Sequence, residues 1–141
     1  NYLKLLADSK NMGAKLLVTG DINVPEHASW HEQIVQKADL DLYMPFWNRP
    51  RREIVEEFVR SGFQAMIVSV NLTKGMTTED LGKMLTLEMI DTLEDRGIDP
   101  CGEAGEFHTL VIDGPIFQSP IEVLPIDIRS NGTNAFLQLT S

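Results

Sequence analysis

Two glutamates, a histidine and a cysteine lie close together in the segment DPCGEAGEFHTLVIDGP, which covers residues 99–115. If a strand begins near Glu106, then Glu106 and His108 project from one of its faces and Phe107 from the other. A carboxylate and an imidazole on one face, with Glu103 nearby, can orient an amine, act as acid or base, or bind a metal ion. A solvated polar start of a strand explains the same pattern. The residue types therefore leave a reaction site, a metal site and an ordinary turn open.

Glycines and a cysteine surround these groups. Gly102 and Gly105 flank Glu103, and glycine permits backbone conformations and close ligand approach that a Cβ would block. Cys101 is the single cysteine of the chain. A nucleophilic thiol needs a neighbouring base or positive charge, whereas this segment supplies mainly carboxylates, which raise the pKa of a thiol. We therefore expect Cys101 to be structural.

The elements that position this segment begin with three short apolar runs, typical of buried strands, at residues 16–19, 40–44 and 65–70. Helical patterns separate these runs. A further helical pattern follows them, and its i, i+4 ridge predicts one long helix through Leu81, Leu85, Met89 and Leu93. Because strands that alternate with helices form βαβ crossovers, the pattern predicts an α/β fold with a parallel sheet.

Three loops follow the predicted strands, at residues 20–23, 45–48 and 71–73. Ligands of open parallel sheets bind beyond the carboxyl ends of the strands, so we expect these loops to share a ligand-binding edge. Asp21 lies there and can accept from a ribose, an amine or a hydrated metal, although an Asx turn explains it equally well. Trp47 lies on the same predicted edge, with a core position as the alternative.

The composition changes after Gly97, since four of the seven prolines and five of the ten glycines fall between residues 97 and 132. Strand patterns cover residues 107–112, 121–128 and 135–139, and Asn131-Gly132 predicts a hairpin turn between the last two. The sequence thus predicts an α/β part at residues 1–97 and a small β-rich subdomain at residues 98–141.

The overall composition narrows the classes of partner. A formal net charge of -9 in 141 residues argues against binding to a nucleic-acid backbone, which depends on clustered basic residues. No apolar run approaches the roughly 20 residues of a membrane span. One cysteine cannot form an internal disulfide, so we expect a cytoplasmic protein. The first residues have the pattern of the middle of a helix, and we expect the chain to be the later part of a longer protein.

The order and spacing of several blocks resemble the diphthine-ammonia ligase family of ATP-binding proteins, within the N-type ATP pyrophosphatases, over nearly all 141 residues. The blocks are GDINVPEHASWHEQIV, YMPFWNRPRREIVEEFVRSGFQAMIVSV, LGKML and CGEAGEFHTLVIDGPIF. The specific signal is Gly-Glu-x-Gly-Glu followed by Asp-Gly-Pro; Gly-Asp-Ile alone is weak.

This resemblance implies an adenine-nucleotide α hydrolase-like α/β fold, with residues 1–97 as the C-terminal part of the nucleotide-binding domain and residues 98–141 on the substrate side. It also implies that ATP, with Mg, adenylates a carboxylate and releases pyrophosphate, after which ammonia attacks the acyl-adenylate to form an amide. The implied partners are ATP, ammonia and a carboxylate acceptor, and a homodimer is left open.

The same resemblance places Gly20, Asp21 and Ile22 at the nucleotide-side edge, and Glu103, Gly105 and Glu106 in the cleft for the acceptor carboxylate or the ammonia. The residue pattern and the resemblance together predict the following roles. The catalytic residues are Glu103, Glu106 and His108; the nucleotide-binding residues are Gly20, Asp21 and Ile22; and the substrate-binding residues are Gly102, Gly105, Thr109 and Trp47. No metal ligand among the side chains is implied. An ammonium ion needs carboxylate acceptors to bind it and a base to free its lone pair, which agrees with the two glutamates.

Two features depart from the family pattern. The phosphate loop of the form Ser-Gly-Gly-x-Asp-Ser does not occur in this sequence. His108 stands where archaeal and eukaryotic members usually carry a glutamate, whereas the Glu-Phe-His-Thr form is that of bacterial relatives; a bacterial-type member would use a carboxylate other than diphthine. Two alternatives stay open beside the ligase: a nucleotide- or metabolite-binding module without catalysis, and a metal-dependent hydrolase using Glu103, Glu106 and His108.

Overall fold

Two short parallel strands organise the first part of the chain in the computed structural model, which describes residues 2–140. Strand β1 (Leu16–Val18) pairs with β2 (Asp41–Tyr43), with Leu17 opposite Leu42. Helices α1 (Tyr2–Asn11) and α2 (Pro25–Ala38) belong to the same compact unit, which ends at Pro50 and is called unit 1. Its core consists of Leu6, Ile34 and Ala38, with Leu17 and Leu40 packed against them. The predicted parallel pairing of the first two strands is confirmed.

Unit 2 begins at Arg51 and contains a four-stranded antiparallel sheet with the strand order β4-β3-β6-β5. The strands are β3 (Gln64–Asn71), β4 (Phe107–Asp113), β5 (Leu124–Ser130) and β6 (Asn134–Thr140). Helices α3 (Arg51–Arg60) and α4 (Leu87–Asp95) contribute Val55, Ile90 and Leu93 to the core against this sheet. The predicted strands after Gly97 and the hairpin at Asn131-Gly132 are confirmed.

The prediction that residues 65–70 form a third parallel strand is wrong. Strand β3 runs antiparallel to both β4 and β6. Its residues 65–67 also hydrogen-bond to the segment 82–85, through Leu85 N to Ala65 O at 2.8 Å and Ile67 N to Lys83 O at 2.9 Å. A strand with partners on both sides and helices on one face is as apolar as a parallel strand, so its sequence does not reveal the direction of its neighbours.

The prediction of one long helix through Leu81 and Leu85 is also wrong. A short 3-10 helix (Thr78–Asp80) is followed by Gly82 with φ +81°, a left-handed conformation that ends helical winding there. Helix α4 starts only at Leu87, where the hydroxyl of Thr86 accepts a hydrogen bond from Met89 N at 3.1 Å. The residues with i, i+4 spacing therefore come from an irregular segment followed by a helix. Leu85, Met89 and Leu93 are buried in the core, and Leu81 packs against it.

The fold class is mixed α/β, with a parallel sheet in unit 1 and an antiparallel sheet in unit 2. The boundary predicted at residues 97 and 98 falls inside unit 2, because β3 and β4 belong to one sheet. The nucleotide-binding and substrate-side roles of the two parts, and the adenine-nucleotide α hydrolase-like fold, stay predictions. No helix in the described part of the chain is long and apolar enough to span a membrane.

Candidate functional site

A pocket of about 370 Å³ lies in unit 2, where the loop at residues 101–105 meets the first residues of β4. The side chains and backbone that line it are those of Cys101, Gly102, Glu103, Gly105, Phe107, His108 and Thr109. Five of these seven residues are predicted site residues. The pocket therefore brings together most of the residues that the sequence placed on the substrate side.

Asp99 holds the loop that carries Glu103. One oxygen of its carboxylate accepts from Cys101 N at 3.0 Å, and the other accepts from Glu103 N at 3.2 Å and forms an ion pair with Arg51, the first residue of α3. The thiol of Cys101 donates to the carbonyl oxygen of Arg51 at 3.2 Å. These bonds tie the turn before Glu103 to helix α3.

A second set of contacts fixes the other end of the loop. The ammonium of Lys74 donates to the carbonyl oxygen of Ala104, and Asn71 N donates to Glu106 O at 2.7 Å. Gly102 has φ +68° and Gly105 φ +78°. A Cβ on Gly102 would approach Phe107 O to 3.0 Å. Both glycines are thus required by the backbone path of the loop, and contact of either with a substrate remains a prediction.

Glu106 is the buried carboxylate of this region. Its exposed fraction is 9%, and its Oε2 atom has no hydrogen-bond partner among residues 2–140. Phe107 lies opposite Val70 on the core face of the sheet, so His108 projects from the opposite face. Strand β4 begins at Phe107, so Glu106 lies in the bend before the strand, and the predicted alternation does not extend to it. Glu103 and His108 are exposed and line the pocket, whereas Glu106 is not among the lining residues.

Cys101 is poorly suited to act as a nucleophile. Burial, together with the negative charges of Asp99 and Glu103, raises the pKa of its thiol to about 12, and the positive charge of Arg51 only partly opposes this. At neutral pH the side chain is a neutral thiol that donates a hydrogen bond. This agrees with the structural role expected from the sequence.

In unit 1, two of the three predicted loops meet at the carboxyl end of the parallel strands. Thr19 N donates to Tyr43 O at 3.1 Å, and Asn48 N donates to Ile22 O at 2.6 Å, which joins residues 20–23 to residues 45–48. The third loop, at residues 71–73, follows the antiparallel strand β3 and is hydrogen-bonded to the Glu106 segment in unit 2. Its predicted place on the parallel-sheet edge was wrong, because β3 is not a strand of that sheet.

Asp21 is held by two histidines of helix α2. Its Oδ1 lies 2.9 Å from Nδ1 of His27, and its Oδ2 lies 2.9 Å from Nε2 of His31. Partial burial acts to raise the pKa of Asp21, but the nearby Thr19 side chain, the hydrogen bond with His27 and the imidazoles of His27 and His31 outweigh burial and lower the pKa. The sequence interpretation missed this cluster. Its available signal was the i, i+4 spacing of the two histidines on the helix that follows Asp21.

The other site residues predicted in unit 1 are Ile22, Gly20 and Trp47, and they differ in burial and in backbone hydrogen bonding. Ile22 is buried, and its carbonyl is engaged by Asn48. A Cβ added to Gly20 would meet no atom within 4 Å, and the φ angle of Gly20 lies outside the left-handed region. No packing contact or backbone angle among residues 2–140 therefore requires glycine at position 20. Trp47 is half-buried in the turn that follows β2, in unit 1, whereas the pocket belongs to unit 2.

The sequence matches a known protein family over the part of the chain that contains the pocket. The family model described as "Diphthamide synthase C-terminal domain" matches residues 50–141, which contain the whole pocket. The chain is 31% identical over 114 residues to the diphthine--ammonia ligase of Schizosaccharomyces pombe, a match that covers 77% of this chain and 18% of that protein.

Vertebrate proteins of the same name match at similar levels. The human protein is 29% identical over 108 residues, covering 74% of this chain and 40% of the relative. The Danio rerio protein is 26% identical over 108 residues, covering 74% of this chain and 42% of the relative. The matches thus span less than half the length of these relatives.

Proposed function

The chain belongs to the family described as "Diphthamide synthase C-terminal domain". From this premise, we propose that the protein to which the chain belongs is an ATP-dependent ligase that joins ammonia to a carboxylate and forms an amide. The diphthine--ammonia ligase names of its relatives support this reaction class. Glu103, Glu106 and His108 are proposed as the catalytic residues, and the acceptor is proposed to bind at the pocket in unit 2.

The observation that carries the proposal is the unpartnered Oε2 atom of the buried Glu106. Leaving a buried acceptor without a hydrogen bond is unfavourable by about 1–3 kcal/mol, and more for a charged group. An ammonium ion, which has N–H donors and a positive charge, would satisfy that oxygen. Glu106 lies within the segment matched by the family model, next to the pocket residues Phe107 and His108.

The proposed reaction has two steps. A carboxylate oxygen of the acceptor attacks the α-phosphorus of ATP, and pyrophosphate leaves. The nitrogen of ammonia then attacks the acyl carbon, AMP leaves with the oxygen that linked it to the acyl group, and the nitrogen gives up a proton. Ammonium must first lose a proton to expose its lone pair, and we assign Glu106 to bind it and Glu103 or His108, at the open pocket, to accept the proton.

We assign the nucleotide side to the loop at Gly20, Asp21 and Ile22. The unfilled space around Gly20 supports close approach of a nucleotide to its backbone. Because both oxygens of Asp21 are engaged by His27 and His31, we assign Asp21 to hold the loop in place. Gly102, Gly105, Thr109 and Trp47 remain proposed substrate contacts.

The residues do not fit a protein-built magnesium site. Between residues 2 and 140, no three His, Cys, Asp or Glu side chains form a group that could hold a metal ion. In nucleotide sites Mg²⁺ is commonly held by one or two carboxylates together with phosphate oxygens. We therefore assign the ion to no residue of this chain. The metal-dependent hydrolase alternative likewise finds no ligand set in the described residues.

The test is pyrophosphate release from ATP by the longest polypeptide that the gene encodes, with ammonium and carboxylate acceptors supplied separately and together. Release should require both, and Glu106→Gln should lower the rate at least about tenfold, because the variant loses the negative charge assigned to bind ammonium, and a hydrogen bond to a charged group contributes about 1.5–3 kcal/mol. Glu122→Gln is the matched control, because Glu122 is exposed and lies outside the pocket lining. An unchanged rate in Glu106→Gln would refute the assignment, and nucleotide binding without release would favour the binding-module alternative.

A further inference from the structure

The face of the unit 2 sheet that carries His108 extends across all four strands. His108 on β4 lies opposite Ser69 on β3, Ser69 lies opposite Phe136 on β6, and Phe136 lies opposite Arg129 on β5. Directly opposed residues project from the same face of an antiparallel sheet. These four side chains therefore form one row, which we call the outer row.

The side chains of the outer row point away from the hydrophobic core, because the residues on the other face of the same strands are buried in it. Phe107, Val70 and Ala135 form the neighbouring row of opposed residues and are all buried. In the outer row, by contrast, His108 and Arg129 are exposed and Phe136 has an exposed fraction of 42%. Ser69, between His108 and Phe136, is the smallest member of the row and is buried.

The side-chain types of the outer row change from an imidazole to an aromatic ring to a guanidinium group. His108 lines the pocket, Phe136 offers an exposed aromatic surface, and Arg129 ends the row with a guanidinium group. Within residues 2–140, the guanidinium of Arg129 takes part in no hydrogen bond or ion pair, whereas those of Arg52 and Arg96 are held by carboxylates. In a chain with a net charge of -9, an arginine without a carboxylate partner is available to an anionic ligand.

We propose that the outer row binds the carboxylate acceptor, and that this acceptor carries a second anionic group that pairs with Arg129. The inference rests on the proposed function. Three strand spacings separate His108 from Arg129, which corresponds to about 14 Å between their backbones. The acceptor is then an elongated molecule whose reactive carboxyl lies in the pocket, whose apolar middle lies on Phe136, and whose second anionic group lies at Arg129. Arg129 is a specificity-determining residue in this arrangement.

The test measures binding to the 141-residue chain without ATP, so it is independent of turnover. The probes are the monoamide of nonanedioic acid, which has an amide at one end and a carboxylate at the other, and its neutral diamide. Both present a product-like amide to the pocket, and they differ only in the charge offered to Arg129. Dissociation constants come from titrations followed by backbone amide NMR shifts, with Ser69, Phe136 and Arg129 as reporters.

The monoamide should bind about tenfold more tightly than the diamide, and Arg129→Gln should remove this difference. Arg129→Lys, which keeps the charge but not the planar fork, should retain part of it. Arg60→Gln is the matched control, because Arg60 is an exposed arginine on α3 and the variant loses the same charge. Equal affinity for the two probes, an Arg129→Gln variant with wild-type preference, or no binding at millimolar concentration would each overturn the proposal. If the binding preference is intact but the separate pyrophosphate assay shows no release that depends on ammonium and an acceptor, only the proposed function is contradicted.

Discussion

Substitution of Asp80 by Asn is expected to destabilise unit 2 strongly. The Asp80 side chain is 2% exposed and accepts from both terminal nitrogens of Arg96, at 3.1 and 2.9 Å, from Lys83 at 3.2 Å and from Thr77 N at 2.9 Å. Burial acts to raise the pKa of Asp80, but Arg96, the Thr77 amide and Lys83 outweigh it and hold the pKa well below its usual range. The network joins the 3-10 helix to the residue that ends α4.

The expected loss follows from the exposure of the two partners. Removing one member of a buried ion pair costs about 3–5 kcal/mol. Arg96 is 29% exposed and can recover some hydration when Asp80 is neutral, which favours the lower end, about 3 kcal/mol. Asp91→Asn is the matched control, because Asp91 is 60% exposed in its ion pair with Arg52. Exposed ion pairs contribute about 0–1 kcal/mol to the free energy of unfolding, so Asp91→Asn should lose no more than about 1 kcal/mol.

The assay must report on unit 2. Both tryptophans of the chain, Trp30 and Trp47, lie in unit 1, so their fluorescence reads that unit. Urea unfolding followed by circular dichroism should therefore be combined with hydrogen exchange at the amides of Ile90 and Leu93, which are fully buried in unit 2. A loss below about 1 kcal/mol in Asp80→Asn, equal to that of Asp91→Asn, would refute the reasoning.

The pH dependence of the free energy of unfolding is a second test of the Asp80 network. Because the pKa of Asp80 is lower in the folded chain than its unfolded value of about 3.9, its contribution is complete above that pH and is lost as the pH falls towards the folded value. The stability difference between the wild-type chain and Asp80→Asn should therefore shrink below about pH 4. A difference that stays constant down to pH 2 would contradict this explanation.

Two further predictions concern the proposed sites. Gly20→Ala should weaken ATP binding by the longest encoded polypeptide several-fold and change the free energy of unfolding by less than about 1 kcal/mol, because among residues 2–140 the added Cβ meets no atom within 4 Å. Unchanged ATP affinity by calorimetry would argue against nucleotide contact at this position. Cys101, whose thiol pKa is raised to about 12, should react with iodoacetamide at pH 8 far more slowly than free cysteine, and labelling at the free-thiol rate would contradict the structural role.

Local sequence signals predicted the pocket well because its residues are contiguous. The loop at residues 101–105 and the first residues of β4 need only the glycine-rich turn and the start of a strand to bring Glu103 and His108 together. The hairpin at Asn131-Gly132 was predictable for the same reason, since a tight turn is determined by its own residues.

Non-local features could not be predicted in this way. The direction of the neighbours of β3 depends on strands more than 35 positions later, and an apolar strand has the same composition in a parallel and an antiparallel sheet. The ion pair of Arg51 with Asp99 joins residues 48 positions apart and follows from no local pattern. The helical ridge through Leu81 and Leu85 was misleading because an irregular segment can bury leucines at the same spacing.

The central position of β3 has a consequence for synthesis of the chain on the ribosome. Within the unit 2 sheet, translation delivers β3 first, β4 more than thirty residues after the end of β3, and β6 more than sixty residues after the end of β3, so the sheet cannot close while these residues are being added. Until β4 emerges, the run AMIVSV at residues 65–70 has no partner among the other strands of this sheet. A nascent chain with such an exposed, β-prone segment is prone to aggregate and is a substrate for chaperones. We therefore expect the sheet of unit 2 to be completed late, and the yield of the chain in the cell to depend on how well β3 is protected before β4 and β6 emerge.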